Sequence, residues 1–321
     1  MKVIMAAVLA ASMSVGSAAA QTYPWKTVTI IVPAAAGGLT DTLARTVAQR
    51  LSQKWGQTVV VENRGGGGHS VGAAAVAKAA PDGYTLMGVE AGTFVASPFL
   101  YRSLPFDADK DFAPIAGLAS SAMAWVVHPS VPARNVRELV ELAKSKPKTI
   151  TYGTAGIGSS LHYSVLLLES LAGVTLSPVH YRGASPAYND LVGGHIQMIS
   201  FGPMMALSAA KEGKINILAV GGLKRSPQLP DVPTVDESGV PGYEASNWFG
   251  LFAPSKTPSE IVAKINADVR QVMSDPELRE KYLVPQLLEP ILGSPDEFKQ
   301  FIAADARKWG KVIRDANLTI D

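Results

Sequence analysis

Between Val28 and Leu51 an apolar run, Val28 to Val32, passes through Pro33-Ala34-Ala35-Ala36-Gly37-Gly38 into a stretch where Leu43, Val47 and Leu51 recur at helical spacing. This order specifies a strand feeding a helix through a glycine turn. It restricts the fold because it recurs: Gly65-Gly66-Gly67-Gly68-His69-Ser70 follows the run Thr58 to Glu62 and opens an Ala-rich helix, and Gly153 to Ser160 joins the strand at Ile150 to the stripe Leu161, Val165, Leu168. Strands alternating with helices build parallel sheets covered on both faces. The first N–H groups of each such helix lack internal partners and carry the positive end of its dipole, so turns gathered at one crevice would hold a small anion without any basic side chain.

The N-terminus is a different kind of segment. Lys2, an apolar stretch from Val3 to Val15 and Ala18-Ala19-Ala20 before Gln21 read as a secretory signal, residues 1–20, cleaved near Ala20. The expected location is therefore the periplasm. The remaining chain of about 300 residues exceeds what one core usually serves, so two domains are expected. There is no cysteine, which removes disulfides, thiolate metal sites and cysteine nucleophiles together. Lys and Arg number 29 against 27 Asp and Glu, with no run of like charge, which argues against nucleic acid as a partner.

Further strands are expected at Thr85 to Val89, Trp125 to Val127, Ile150 to Tyr152, Val179 to Tyr181, Ile196 to Ser200 and Ile215 to Val220. Three capping boxes, Thr257-x-x-Glu260, Ser274-x-x-Glu277 and Ser294-x-x-Glu297, mark helix starts in the last part of the chain. Lys224 to Pro233, with three prolines, reads as a loop. No linker is visible near the middle. The expectation is a chain that leaves its first domain near Ala119 to Ala124 and returns near Gly242 to Phe249, giving domain I as 21–122 plus 243–321 and domain II as 123–242.

Enzyme motifs fail on chemistry. The glycines 66, 68 and 72 do not satisfy G-x-G-x-x-G, and no Walker lysine follows them. The nearest approach to a nucleophile elbow, Gly183-Ala184-Ser185-Pro186-Ala187, puts a proline where the oxyanion hole needs a backbone N–H. No two histidines lie three to five residues apart, so no helical metal motif exists. Neither catalysis nor a metal or other cofactor is expected; a secreted α/β hydrolase or lyase stands as the alternative, accounting for export and length alone.

Val32-Pro33-x-x-x-Gly37-Gly38-x-x-Asp41, Asn63-Arg64, Pro81-Asp82-Gly83-Tyr84-Thr85-Leu86, Tyr152-Gly153-x-x-Gly156-x-Gly158-Ser159-x-x-His162, Tyr181-Arg182-Gly183-x-x-Pro186-Ala187-x-x-Asp190-Leu191 and Asp231-Val232-Pro233-Thr234 together resemble the Bug/TctC family. These are the extracytoplasmic solute-binding proteins of tripartite tricarboxylate transporters. The resemblance implies an α/β, two-domain periplasmic binding protein of type II (Venus flytrap) architecture, each domain a mainly parallel sheet flanked by helices. It implies a monomer that captures a small organic acid and delivers it to membrane permease subunits, or, as a further reading, reports to a membrane kinase.

Carried over residue by residue, the resemblance puts Ala36, Gly37, Gly38 and Thr40 on one wall of the site with Asp41 fixing the turn, and Ser159, Ser160, His162, Arg182, Gly183, Ala184 and Ala187 on the other. His69, Thr93, Asp190 and Trp248 complete the candidate set, and Leu39 with Phe94 would give an apolar far wall. The chain departs from the family's pattern at Ala36, Gly65 and Arg182, where proline, proline and lysine are common. Arg182 could hold a carboxylate bidentately or form a structural ion pair. Thr40 and Ser185 also read as helix N-caps, and Trp248 and Phe249 as core aromatics. Gly38 is expected to be the turn position that valine would block, with a left-handed backbone disfavouring the β-branched side chain. Dicarboxylates, citrate-like acids, acidic amino acids and aromatic acids all remain as ligands.

Overall fold

The computed structural model describes residues 23–320, apart from the side chains of Pro203 and Met205; the expected signal and its cleavage point lie outside the described residues. No helix among them is long and apolar enough to cross a membrane. The chain runs β1 (Val28–Val32), α1 (Leu39–Trp55), β2 (Val59–Asn63), α2 (Ser70–Ala77), β3 (Thr85–Glu90), α3 (Gly92–Val95), α4 (Ser97–Leu100) and β4 (Phe112–Ala122). It continues through β5 (Ala124–Val127), α5 (Val136–Ser145), β6 (Thr151–Thr154), α6 (Ser160–Ala172), β7 (Ser177–His180), α7 (Ala184–Val192), β8 (Met198–Phe201), α8 (Pro203–Lys211) and β9 (Asn216–Val220). It closes with β10 (Ser246–Pro254), α9 (Ser259–Met273), α10 (Pro276–Leu278), β11 (Glu289–Pro290) and α11 (Pro295–Asp315).

Two sheets result, ordered β11-β4-β10-β3-β1-β2 and β7-β6-β8-β5-β9. Successive side chains of a strand point to opposite faces, and both faces of the first sheet are buried. Val28, Ile30 and Val32 of β1 pack with Leu43, Val47 and Leu51 of α1 and with Ile265 and Val269 of α9, while Ile31 joins the cluster that includes Phe94, Phe298 and Trp309 on the other side. This is the period-2 strand against period-3.6 helix pattern that the sequence displays.

The sheets are mixed, which corrects the expectation of mainly parallel ones. β1 pairs in parallel with β2 and β3, and β6 with β7 and β8, but β10 runs antiparallel to β3 and β4, and β5 antiparallel to β8 and β9. The antiparallel strands flank the passages between lobes. β4 ends at Ala122 in the first sheet and β5 begins at Ala124 in the second, so the chain crosses at one residue, Met123. There three segments interlock: Met123 N–H donates to Ala245 O (3.1 Å), Gly221 N–H to Met123 O (2.6 Å) and Ala245 N–H to Gly221 O (2.7 Å).

Of the three expected capping boxes only one forms. Ser294 Oγ accepts the Glu297 N–H while Glu297 accepts from the Ser294 N–H, closing the box at α11. At α10 the cap moves one residue on, because the Asp275 carboxylate takes the Leu278 N–H (2.8 Å) and Glu277 pairs with Arg50 and Lys281. At α9 the helix starts after Pro258, leaving Thr257 outside it with its hydroxyl buried and unpaired.

Candidate functional site

Because β1, β2 and β3 are parallel, the turns after them emerge at one end of the first sheet. The turn after β1 is fixed from below. Asp41, 2% exposed, accepts from Gly37 N–H (2.8 Å), Arg45 Nε (3.1 Å) and Asn63 Nδ2 (3.0 Å), and Asn63 Nδ2 also reaches Ala34 O. Burial alone would raise the Asp41 carboxyl; the donors from Gly37, Arg45 and Asn63 outweigh it and hold it below the ordinary carboxylate value. Gly37 has φ +84, the left-handed conformation that suits glycine. Gly38, by contrast, has φ −74, and an added Cβ would meet only the Ala35 carbonyl oxygen at an ordinary contact distance of 3.7 Å, so the strained backbone lies one residue before the expected position.

The turn after β2 lies against the first, with Gly65 packed on Ala34 and Ala35. It ends at His69, whose Nδ1 is 3.1 Å from Thr93 Oγ1 and whose Nε2 is 3.7 Å from Glu90 Oε1. Asn247 Nδ2 donates to Glu90 Oε2 (3.0 Å).

In the second sheet, parallel pairing brings the ends of β6, β7 and β8 together in the same way. Ser159 Oγ donates to Gly156 O (2.8 Å), and Gly158 N–H donates to His162 Nδ1 (3.1 Å). Thr154 Oγ1 accepts the Gly156 N–H and lies 2.8 Å from His180 Nδ1. Tyr181 Oη donates to Asp190 Oδ2 (2.6 Å), anchoring the turn after β7 that carries Arg182. Arg182 is exposed and has no hydrogen-bond or ion-pair partner among the described residues, so the ion-pair alternative finds no acid there. The second set of turns meets α4 of the first lobe at Gly158, where an added Cβ would stand 2.0 Å from Leu100 Cδ1.

One contrast runs through the helix starts. α1, α2, α6, α7 and α8, which follow the parallel strands, begin at Gly38, His69, Ser159, Gly183 and Gly202 without a side-chain cap. α3, α4 and α9 also start without a side-chain cap, whereas α5 is capped by Asn135, α10 by Asp275 and α11 by Ser294. Neither Thr40 nor Ser185 is a cap, and the Thr40 hydroxyl has no partner among the described residues. The uncapped ends leave backbone N–H donors and positive dipole ends available to an anion.

The candidate residues divide by reach. Ala36, Gly37, Gly38, Ser159, Ser160, Arg182, Gly183 and Ala184 are partly or fully exposed on the turns. Asp41, Thr93, His162, Ala187 and Trp248 are buried and support them from behind; Asp190, partly buried, does so through Tyr181. Trp248 lies in the core with Nε1 donating to Asp305 (2.8 Å), and Phe94 stacks on Phe252 at 4.1 Å, so Phe94 belongs to the core rather than a far wall. Sequence reasoning missed Glu90, Asn247 and Leu100. An acid closing the apolar run Thr85 to Glu90 was the one visible signal. No group of three or more His, Cys, Asp or Glu among the described residues could hold a metal ion.

The histidines give an expected pH dependence. Burial, followed by the charge of His180, lowers His162 from 6.5 to about 4, so it is neutral and can accept the Gly158 N–H. Its folded value is below its unfolded one, so the unfolded chain binds the proton first and stability falls as pH drops from 6.5 toward 4. A shift of that size corresponds to about 3 kcal/mol. Thermal melts from pH 7 to 4 should show this loss for the natural chain, with a shallower slope for His162→Gln; equal slopes would rule His162 out as the titrating group.

Residues 43–318 match the profile of a family described as "Tripartite tricarboxylate transporter family receptor". Among solved structures, the R. palustris protein Rpa4515 with adipate is 34% identical, with a TM-score of 0.83 over 93% of this chain and all of that one. The periplasmic binding protein BugD is also 34% identical, with a TM-score of 0.79 over 93% of this chain and all of its own. MatC from Rhodopseudomonas palustris, with bound malate, is 34% identical, with a TM-score of 0.78 over 91% of this chain and all of that one.

Proposed function

This chain belongs to the tripartite tricarboxylate transporter receptor family, whose members are periplasmic solute-binding proteins rather than enzymes, and from that premise we propose that it captures a small carboxylate between its two lobes and delivers it to a membrane permease. The observation that carries this reading is the set of uncapped helix starts at the strand ends of both lobes, together with Arg182, an exposed guanidinium with no acid of its own among the described residues. Backbone N–H groups from one lobe would take one side of the carboxylate, and the serines and Arg182 of the other would take the second. Adipate on Rpa4515 and malate on MatC support a carboxylate as the shared feature of the ligands.

On this reading the domains divide as 21–122 with 243–321, and 123–242, and the protein works in the periplasm after removal of residues 1–20. The interlock of Met123, Gly221 and Ala245 would be the hinge, and the ligand, binding the closed form preferentially, would shift the population toward it.

A thermal-shift screen over carboxylic acids tests the reading. Ligand at 100 times its dissociation constant should stabilise the fold by about 2.7 kcal/mol. Arg182→Ala should weaken binding of the best acid by about tenfold or more, and Arg182→Lys by less, because an ammonium keeps the charge but loses the planar fork. Absence of a shift with any acid, alongside hydrolysis of an ester or amide, would favour the enzyme alternative instead.

A further inference from the structure

The floor of the cleft carries chemistry opposite to that of its walls. Glu90 ends β3 at the edge where the glycine turns emerge, and its side chain stays 31% exposed beside that of His69, 27% exposed, which opens α2. One Glu90 oxygen accepts from Asn247 Nδ2. A carboxylate can only accept, so this bond fixes the Asn247 amide with Oδ1 pointing away, and Oδ1 is buried with no hydrogen-bond donor. Glu90 also reaches across the lobes electrostatically, since its charge contributes to raising the Tyr163 hydroxyl of α6 far above its ordinary value, after the larger effect of burial. The turns therefore present donors, whereas the floor presents the Glu90 carboxylate, held by Asn247 whose amide oxygen is buried behind it.

We infer that this site is built for a carboxylate whose other end carries an ammonium group, and that Glu90 with Asn247 is the determinant of that preference. The inference rests on the carboxylate reading above and names the ligand class. A second carboxylate at the floor would face Glu90 and be repelled. An ammonium would pair with the exposed part of the Glu90 carboxylate. Thr93, fully buried, lies within hydrogen-bond distance of the His69 Nδ1 and holds the imidazole beside Glu90.

Calorimetric titration with 4-aminobutanoate, 5-aminopentanoate and 6-aminohexanoate against succinate, glutarate and adipate tests this. The natural chain should bind an amino acid of the series at least about tenfold tighter than the diacid of equal length. Glu90→Gln, which keeps shape and the Asn247 contact, should abolish or invert that ratio while diacid binding persists or improves, showing that the variant folds. Asn247→Asp should sharpen the preference for the amino acids. If the natural chain binds diacids as tightly as amino acids, or Glu90→Gln leaves the ratio unchanged, the inference is overturned while the carboxylate reading stands. Absence of binding by every acid would overturn both.

Discussion

Gly158→Val is expected to weaken ligand binding by about 100-fold or more, which corresponds to about 2.7 kcal/mol. Two independent effects converge on this residue. Its φ of +73 is a conformation that a β-branched side chain adopts only with strain, and its missing side chain is what lets α4 of one lobe approach the turn of the other. Leu100 is itself 3% exposed and held in the core, so it cannot swing aside to admit a Cβ 2.0 Å from its Cδ1. The lobes must separate or the turn must rebuild, and rebuilding the turn removes the Gly158 N–H from His162. Small-angle scattering should show the natural chain contracting with its best acid and Gly158→Val staying open. Pairing Gly158→Ala with Leu100→Ala separates the causes: recovery of affinity in the double variant relative to Gly158→Ala identifies the clash, whereas no recovery leaves backbone strain. Binding by Gly158→Val equal to that of the natural chain would show that closure does not use this contact.

Asp41→Ala should cost about 3 kcal/mol of stability and abolish binding together. The carboxylate gathers donors from Gly37, Arg45 and Asn63, and hydrogen bonds to a charged group contribute about 1.5–3 kcal/mol each where burial keeps water away. Arg45 is half exposed and regains water, so the sum is discounted toward the effect of the two shielded donors. Asp41→Asn should fall between, since an amide oxygen still accepts but carries no charge. The acid limb is distinct from that of His162. The Asp41 carboxyl titrates below its unfolded value in the fold, so its stabilisation is present above about pH 3.8 and lost as pH falls through the lower folded value. Chemical denaturation at pH 7 reads the first effect. A variant that melts like the natural chain yet fails to bind would limit Asp41 to orienting the turn.

The local grammar of this chain was legible in its residues. Apolar runs of period 2, helical stripes and glycines between them specified strand-turn-helix units, because those patterns depend only on neighbours within a few residues. Lys224 to Pro233 was legible as a loop for the same reason, as was the Ser294 box, whose two hydrogen bonds span three residues. The boxes at Thr257 and Ser274 looked equal to it in sequence and failed on local competitors, Pro258 in one case and Asp275 in the other.

The site divides along the same line. Gly37, Asp41, Gly158 and Arg182 stand in motifs that sequence could single out, but their roles could not be ranked from it. That Asp41 gathers Asn63 from β2, that His162 accepts from the turn before it and that Arg182 lacks an acid are facts about neighbours brought from elsewhere in the chain. Glu90 and Asn247 lie 157 residues apart and meet because β10 returns antiparallel beside β3.

What the sequence determined by itself is the set of units, their order and the glycines that end strands where a small anion could approach. What only the tertiary structure decided is how the sheets mix parallel and antiparallel strands, where one residue carries the chain between lobes, and which side chains face which turn. The physical reason is range. A turn, a cap or an amphipathic stripe is fixed by forces acting along a few residues, whereas the register of β4 against β10, the approach of Leu100 to Gly158 and the acceptor-rich floor at Glu90 depend on surfaces that exist only once distant segments have packed.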